Sequence, residues 1–330
     1  MKHVWRHLIL ILVVFLVSCA QFTPNAQPTA TAIAPTIQPT VVVVEPTVTT
    51  APVTSSIVDG AGRTVEIPAA VDRIVSLAPS TTEIVYALGK GSALVAVDMF
   101  SDYPTEVSAL PKISNPDMSY NYEQITALQP DVVFAAAITS PDAIAAIEKL
   151  NIPVIVVGSF TTTMASVQSD ITLVGDVLGA QSDAKALTSQ MQQGWDTIAA
   201  KVKGSSTTPT VFWELDATDP SKPYTVGKGS FITDMMVTAG AKNVFADVDN
   251  PYPQVSIEQV VAAAPDIIIL SDAAYGVTPD QVYARPGWDA IPAVKNKQVF
   301  PIDDNLVSRP GPRIVDGLAA VVQIVHPEVK

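Results

Sequence analysis

Cysteine and histidine are scarce in this sequence. The 330 residues contain one cysteine and three histidines, of which His3 and His7 lie close to the N-terminus. This count excludes a disulfide-stapled scaffold and argues against most zinc clusters. His326 is the remaining candidate for a catalytic base, but no Gly-x-Ser-x-Gly nucleophile elbow accompanies it. The residue types therefore point away from hydrolase chemistry.

Basic residues are also few. The 19 lysines and arginines face 32 aspartates and glutamates, and the formal net charge is −13. A protein with this excess of negative charge does not bind nucleic acid in general, since it has no basic surplus to neutralise phosphates. Hydrophobic residues make up 48% of the chain, and a chain of this length usually divides into more than one globular unit.

The N-terminus has the features of an export signal. Lys2 and Arg6 precede an apolar run of about ten residues, which is short for a membrane span and typical of a signal-peptide core. The run ends in Leu16-Val17-Ser18-Cys19, which resembles the bacterial lipobox. We expect residues 1–18 to be a lipoprotein signal peptide and Cys19 to carry the lipid that anchors the protein outside the cell membrane. An ordinary secretory signal with an incidental cysteine is the alternative.

The next segment, residues 19–56, is rich in proline and threonine and has no apolar periodicity. Such a composition is typical of an extended linker, and it predicts a tether between the lipidated cysteine and the folded part.

From Ile57 onward, short β-branched runs alternate with helical patterns, which predicts an α/β fold with mainly parallel sheets. A helix is predicted from a capping box at Ser80-Thr81-Thr82-Glu83 to Gly89, and another from Ser230 to Gly240. The predicted strands are Ile74–Leu77, Leu94–Val97, Val132–Ala135, Val154–Val157, Thr210–Glu214 and Ile267–Leu270.

A local pattern occurs once in each half of the chain. The segment Asn121–Val133 recurs in outline as Ser256–Ile268: each begins with a helix N-cap residue and ends in Pro-Asp before an apolar strand. Glu123 and Glu258 hold the same place, in the first helical turn. A carboxylate there is stabilised by the positive end of the helix dipole, but this interaction does not explain why the two halves match.

A long helix is predicted between the halves, at residues 181–203, where apolar residues recur every three or four positions. It separates a predicted N-terminal lobe, residues 57–180, from a C-terminal lobe, residues 204–330.

Several segments together resemble a known family. They are Arg73–Glu83, Phe100–Pro104, Leu128–Asp131, Pro223–Ser230, Tyr252–Ser256 and Arg309–Arg313. In this order they are similar to the solute-binding proteins of bacterial ABC importers for cobalamin and iron-siderophores, nearest to the cobalamin branch. The resemblance implies two Rossmann-like lobes joined by a single long helix, with a ligand cleft between them. It further implies a monomeric receptor that is not an enzyme, has no cofactor of its own and closes only slightly on its ligand.

The resemblance also implies roles for individual residues. The cleft positions of the family fall on Phe100, Tyr224, Tyr252, Asn305 and Arg309. Aromatic faces suit a flat, partly apolar macrocycle, and the Asn and Arg side chains can bind oxygens at its rim. For Arg309, a surface or interlobe salt bridge is an equal alternative.

The resemblance assigns docking onto the two permease subunits to Glu123 and Glu258, whose carboxylates would form ion pairs with permease arginines.

The expected ligand is a corrinoid. Two departures weaken that expectation: Ala135-Ala136-Ala137 and the segment Ser114–Met118 both lack the tryptophan typical of cobalamin binders. A receptor for an iron-siderophore or haem is the alternative within the family, and an extracytoplasmic enzyme or a structural lipoprotein is the alternative outside it.

Overall fold

The computed structural model describes residues 53–115, 117, 119–159 and 162–329, which lie in one compact unit of the chain. The predicted signal peptide, Cys19 and the predicted tether up to residue 52 lie outside the described residues. The last four residues assigned to the tether, 53–56, instead begin a β-strand. No helix in the described part of the chain has the length and apolar character needed to cross a membrane.

Within these residues the chain forms ten strands and eleven α-helices. The strands are β1 (Val53–Val58), β2 (Thr64–Pro68), β3 (Ile74–Ser76), β4 (Leu94–Val97), β5 (Val132–Ala136), β6 (Val154–Val157), β7 (Thr210–Glu214), β8 (Lys242–Asn243), β9 (Ile267–Leu270) and β10 (Val299–Pro301). The helices are α1 (Pro79–Ala87), α2 (Tyr122–Ala127), α3 (Pro141–Glu148), α4 (Met164–Val177), α5 (Gln181–Val202), α6 (Phe231–Thr238), α7 (Ile257–Ala263), α8 (Pro279–Tyr283), α9 (Pro292–Lys295), α10 (Asp304–Val307) and α11 (Ile314–Val325).

The strands form two four-stranded parallel sheets and one antiparallel hairpin. The order is β4-β3-β5-β6 in the first sheet and β10-β9-β7-β8 in the second, and β1 pairs with β2. We call the first sheet with α1–α4 the first lobe, and the second sheet with α6–α11 the second lobe. The central strands β3, β5 and β9 are buried on both faces, which explains their nearly uninterrupted apolar sequences. The predicted α/β class with parallel sheets is confirmed.

A continuous hydrophobic core joins the two lobes. One cluster of buried side chains includes Ile171 of α4, Met191 of α5, Ile232 of α6 and Leu318 of α11. In the chain, α4 and α5 connect the last strand of the first sheet to the first strand of the second. With 22 residues, α5 is about 33 Å long, and its apolar stripe packs into the cluster. A shared core of this kind resists bending between the lobes because bending would expose apolar surface.

The repeated segments fold as the sequence predicts at their N-caps. The Asn121 side chain accepts a hydrogen bond from the backbone N–H of Gln124 at 3.0 Å, and the Ser256 hydroxyl accepts one from the backbone N–H of Gln259 at 3.3 Å. Both glutamates of the repeat stand in the first turn, exposed to solvent. Because α2 and α7 run back along parallel sheets, their N-termini lie towards the carboxyl ends of the strands.

The predicted capping box of α1 is wrong. The helix begins at Pro79 with Ala78 as N-cap, and no side chain caps it. The Thr81 and Thr82 hydroxyls instead donate to the carbonyl oxygen of Ala78, at 2.9 and 3.1 Å. The Glu83 side chain does not turn back to the helix terminus, because it forms ion pairs with the second lobe.

Candidate functional site

A cavity of about 430 Å³ lies between the lobes. The first lobe contributes residues at and after the ends of its four strands: Leu77–Ser80, Asp98, Phe100, Ala136–Ile138, Val157–Ser159 and Thr162. The second lobe contributes Phe231, Tyr252, Tyr275, Asp304, Asn305 and Ser308–Pro310. Ligands of parallel α/β sheets commonly bind outside the carboxyl ends of the strands, and this cavity occupies that position. We call it the cleft.

Four of the five predicted ligand residues line the cleft: Phe100, Tyr252, Asn305 and Arg309. Phe100 and Tyr252 are 44% and 37% exposed, and both line the cavity. Tyr224 is not among the lining residues. Its backbone forms antiparallel bridges with Asp216 and Gln254, and the residue is 44% exposed.

Two exposed hydrophobic residues line the cleft that are not predicted from the sequence. Tyr275 is 80% exposed and Ile138 is 68% exposed, and both line the cavity. Tyr275 ends a short 3₁₀ turn that follows β9, and Ile138 lies two residues after the end of β5. Large side chains just after the strands of a parallel sheet reach the ligand edge, and this position was the signal that could have identified both.

The cleft is acidic. Asp98, Asp170 and Asp304 line it, and burial raises the pKa of all three carboxyl groups, that of Asp170 to about 6. Each has a local donor: Asp98 accepts from the Ser101 hydroxyl, Asp170 from the Gly158 backbone N–H at 3.0 Å, and Asp304 from the Ser308 hydroxyl. Asp98 and Asp170 are buried and Asp304 is half-buried. A carboxylate has about four acceptor positions, so each of the three keeps acceptor capacity for a ligand.

The positive charge in the cleft is already paired. The Arg309 guanidinium contacts Asp102 at 2.6 Å and Glu83 at 3.3 Å, and it donates to the Phe100 carbonyl oxygen at 3.1 Å. The side chain therefore makes interlobe ion pairs while one edge faces the cavity. Its contribution to a ligand site is weaker than that of an unpaired arginine, because two carboxylates already neutralise it.

Glu83, which the sequence predicts to be part of a helix capping box, is instead the centre of an interlobe cluster of charges. It is buried, and it binds Arg313 through two bonds of 2.6 and 2.9 Å in addition to its contact with Arg309. The Arg313 guanidinium also lies 4.0 Å from the centre of the Tyr103 ring. These contacts hold α1 against the segment that leads into α11, so the lobes are tied by charge as well as by the shared core.

A second buried carboxyl group lies behind the cleft, at the base of the turn that carries Tyr275. Asp272 is 3% exposed; one of its oxygens accepts from the Ala217 backbone N–H at 3.0 Å, and the other has no hydrogen-bond partner. Burial, and then the nearby charge of Glu214, raise the pKa of Asp272 to about 7. Glu214 itself forms a two-bond ion pair with Arg285, at 2.5 and 2.7 Å.

The chemistry of the site is that of a receptor. Aromatic and aliphatic side chains offer flat apolar contacts, and carboxylates with one amide side chain offer acceptors at the rim. His326 is buried elsewhere, with its ring nitrogens 3.2 Å from Glu328 and 3.4 Å from the Gly240 carbonyl oxygen, so it packs as a structural residue. In the described part of the chain, no three His, Cys, Asp or Glu side chains form a metal cluster.

Comparisons with known proteins agree with this geometry. A family model described as "Periplasmic binding protein" matches residues 74–306. The ABC transporter substrate-binding lipoprotein YvrC of Bacillus subtilis is 35% identical over 84% of this chain and 86% of its own. The vitamin B12-binding protein of Vibrio parahaemolyticus is 31% identical over 77% of this chain and 89% of its own. A solved structure of a possible iron-binding, periplasmic solute-binding protein of Staphylococcus epidermidis has a TM-score of 0.69 and 30% identity, covering 78% of this chain and 99% of that one.

Proposed function

Because the chain belongs to the periplasmic binding protein family, we propose that its cleft captures cobalamin or a related corrinoid and delivers it to an ABC permease. The family consists of extracytoplasmic, non-enzymatic receptors of ABC transport, and this role includes a permease partner and a solute ligand. For this chain, we propose the identity of the ligand, the residues that dock onto the permease and the lipid anchor.

The observation that supports a corrinoid is the charge of the cleft. Three carboxyl groups line it, and its arginine is already paired with Asp102 and Glu83. An anionic ligand would meet repulsion here. A corrinoid presents amide N–H groups around a flat ring, and carboxylates accept hydrogen bonds from such groups. Phe100, Tyr252 and Tyr275 supply the flat apolar contacts in place of the missing tryptophans.

A receptor for haem or a ferric siderophore is the second candidate. It is favoured by the similarity to the Staphylococcus epidermidis protein, which is described as possibly binding iron. Such ligands carry carboxylate or other anionic oxygens, so Arg309 would have to exchange Asp102 for the ligand.

The ligand is tested by titrating the full-length protein, in a mild detergent, with cyanocobalamin, haemin and a ferric hydroxamate. We expect one-to-one binding of cyanocobalamin. Losing one aromatic contact in Tyr252→Ala or Tyr275→Ala should weaken binding about tenfold. Tyr224→Ala is a matched control, since Tyr224 is similarly exposed but does not line the cleft. Binding of haemin or the ferric hydroxamate without cyanocobalamin would reject the corrinoid.

Permease docking is proposed for Glu123 and Glu258, the exposed first-turn glutamates of α2 and α7. Exposed ion pairs are individually weak, so we expect this pair to fix orientation more than affinity. Replacing both by alanine should abolish transport while leaving ligand binding intact. A matched control, Glu66→Ala with Asp280→Ala, removes the same charge from exposed positions elsewhere. Unchanged transport in the first variant, or equal loss in the second, would reject the assignment.

The anchor is proposed to be a lipid on Cys19, in keeping with the lipoprotein YvrC. The Cys19→Ser variant should leave the membrane fraction and appear in the soluble extracytoplasmic fraction. Retention in the membrane would show that another segment anchors the protein.

A further inference from the structure

The turn of the β1-β2 hairpin lies against the outer edge of the first sheet. β6 is the outermost strand of that sheet and pairs with β5 along one edge. Along its other edge, the Gly60 N–H of the turn donates to the Val156 carbonyl oxygen at 2.8 Å, and the Val156 N–H donates to the Asp59 carboxylate at 3.1 Å. The hairpin therefore continues the hydrogen bonding of the sheet where β6 ends at the cleft.

Asp59 fixes the conformation of this turn. Its side chain is fully buried, and its carboxylate also accepts from the backbone N–H groups of Ala61 at 3.0 Å and Arg63 at 2.9 Å. The Arg63 guanidinium donates to Asp59 at 2.7 and 2.9 Å, and it pairs with Glu148 of α3 at 2.7 Å. A carboxylate has about four acceptor positions, and the donors around Asp59 occupy them all, so the turn is held rigidly on the sheet.

The turn approaches the sheet most closely at two glycines. A Cβ atom added to Gly60 would lie 2.7 Å from the Gly158 carbonyl oxygen and 3.0 Å from the Gly158 nitrogen. Both distances are well inside the separation of roughly 3.5 Å at which non-bonded atoms attract. Gly158 itself has a φ of +91°, which side chains disfavour. The close contact of the two backbones therefore requires glycine at position 60.

This contact bears on a carboxyl group of the cleft. The Gly158 N–H, whose nitrogen faces Gly60, donates to Asp170 of α4 at 3.0 Å, and Asp170 is 8% exposed and lines the cleft. Burial raises the pKa of Asp170, and the hydrogen bond from Gly158 lowers it. A displacement of Gly158 would therefore weaken a hydrogen bond that favours the ionised carboxylate. The other titratable or charged groups of the hairpin turn and of the cleft are Asp59, Arg63, Asp98, Tyr252, Tyr275, Asp304 and Arg309.

We propose that the β1-β2 hairpin is a positioning element of the ligand cleft, in which Gly60 holds the Gly158 N–H in place on the Asp170 carboxylate. Neither Asp59 nor Gly60 lines the cleft, so their effect on it passes through the end of β6. This inference rests on the proposed function, because Asp170 acts on a ligand only if the cleft binds one.

The test measures the ionisation of Asp170 without a ligand. The full-length protein, labelled with carbon-13 at the aspartate carboxyl carbons and kept in a mild detergent, is titrated from pH 4 to pH 8 by NMR, and Asp170→Asn identifies the resonance. Gly60→Ala places a methyl group against Gly158, and Asp59→Asn removes the carboxylate that binds the Val156 N–H. A folding defect in one variant does not decide the result, and thermal unfolding checks that each is folded.

Two matched controls change the same turn without reaching β6. Gly62→Ala makes the same substitution two positions along, where an added Cβ atom meets nothing within 4 Å. Its φ of +76° means that alanine strains the turn, so this variant controls for general destabilisation. Glu148→Gln removes the other carboxylate that pairs with Arg63 and leaves the bond between Asp59 and Val156 in place.

We expect Asp170 to titrate with a pKa of about 6 in the wild type, and this pKa to rise by at least about half a pH unit in Gly60→Ala and in Asp59→Asn. Removing the negative charge of Asp59 would by itself lower the pKa of Asp170, so a rise reports the weakened hydrogen bond from Gly158. The controls should stay within about 0.2 pH units of the wild type. An unchanged pKa in both hairpin variants, or an equal rise in the controls, overturns the proposal.

The binding assay separates this proposal from the proposed ligand. In the two hairpin variants, cyanocobalamin affinity should rise over a correspondingly higher pH range than in the wild type. If the unmodified protein binds no corrinoid, the proposed ligand is rejected, and the NMR titration still decides the role of the hairpin. If it binds cyanocobalamin while the pKa of Asp170 does not move in the variants, the positioning role alone is rejected.

Discussion

The buried carboxyl group of Asp272 should make the stability of this protein fall as the pH rises. In the folded chain its pKa is raised to about 7, first by burial and then by the neighbouring Glu214, whereas an unfolded chain restores the ordinary value of 3.8. Between these values the folded state binds more protons than the unfolded state. The stabilisation is therefore fully present below the unfolded pKa and is lost as the pH rises through the folded pKa.

The size of the effect follows from the two pKa values. Between pH 5 and pH 8 the ionisation of Asp272 should lower the free energy of unfolding by roughly 2 to 3 kcal/mol, because each unit of pKa difference corresponds to about 1.4 kcal/mol. Asp272→Asn keeps the shape of the side chain and cannot ionise, so the variant should not show this decrease in stability with rising pH. The paired Arg285 and Glu214 remain as they are in both proteins.

The assay is urea unfolding of the full-length wild type and of Asp272→Asn at pH 5 and pH 8, followed by tryptophan fluorescence. Asp170, whose pKa is raised to about 6, adds a pH dependence of the same sign, but it is present in both proteins and cancels in the comparison. We expect the free energy of unfolding of the variant, relative to that of wild type, to be roughly 2 to 3 kcal/mol higher at pH 8 than at pH 5. The same free-energy difference at pH 5 and at pH 8 would refute the reasoning.

Two further predictions concern the cleft and the contacts that close it. Glu83→Gln should lower the free energy of unfolding, measured in urea, by about 3 kcal/mol, because it removes the negative charge that pairs with two largely buried guanidinium groups. The control Asp102→Asn, at a side chain that is 60% exposed, should lower it by less than about 1 kcal/mol. Equal costs would show that Glu83 does not tie the lobes. Cyanocobalamin affinity should rise up to about tenfold between pH 5 and pH 7 as Asp170 ionises, and Asp170→Asn should abolish the rise. A pH dependence that survives in the variant would contradict the role of this carboxylate.

The strands could be predicted from the sequence because local composition determines them. Strands such as Val154–Val157 and Ile267–Leu270 are short β-branched runs that suit a sheet covered on both faces, and the structure has them at the predicted bounds. The capping signals at Asn121 and Ser256 are local as well, and both caps form. The first turn of α1 shows the limit, since a good capping sequence there was overridden by contacts with the other lobe.

The cleft could be predicted only in part. The resemblance to the family predicts four residues that do line one cavity: Phe100, Tyr252, Asn305 and Arg309. Tyr275 was missed because a single tyrosine in a loop carries no periodic signal, and its position matters only once β9 is placed in the sheet. The raised pKa of the carboxyl groups also depends on burial, which comes from segments distant in the chain.

The sequence by itself determined the elements: the α/β alternation, the matched first-turn glutamates and the long apolar stripe of α5 all follow from residue spacing. The tertiary structure decided which charges neutralise one another, since Glu83 meets Arg313 across 230 positions of the chain. It also decided that three carboxyl groups distant in the chain line one cleft. Electrostatic energy depends on distance in space and on burial, and neither can be read from spacing along the chain.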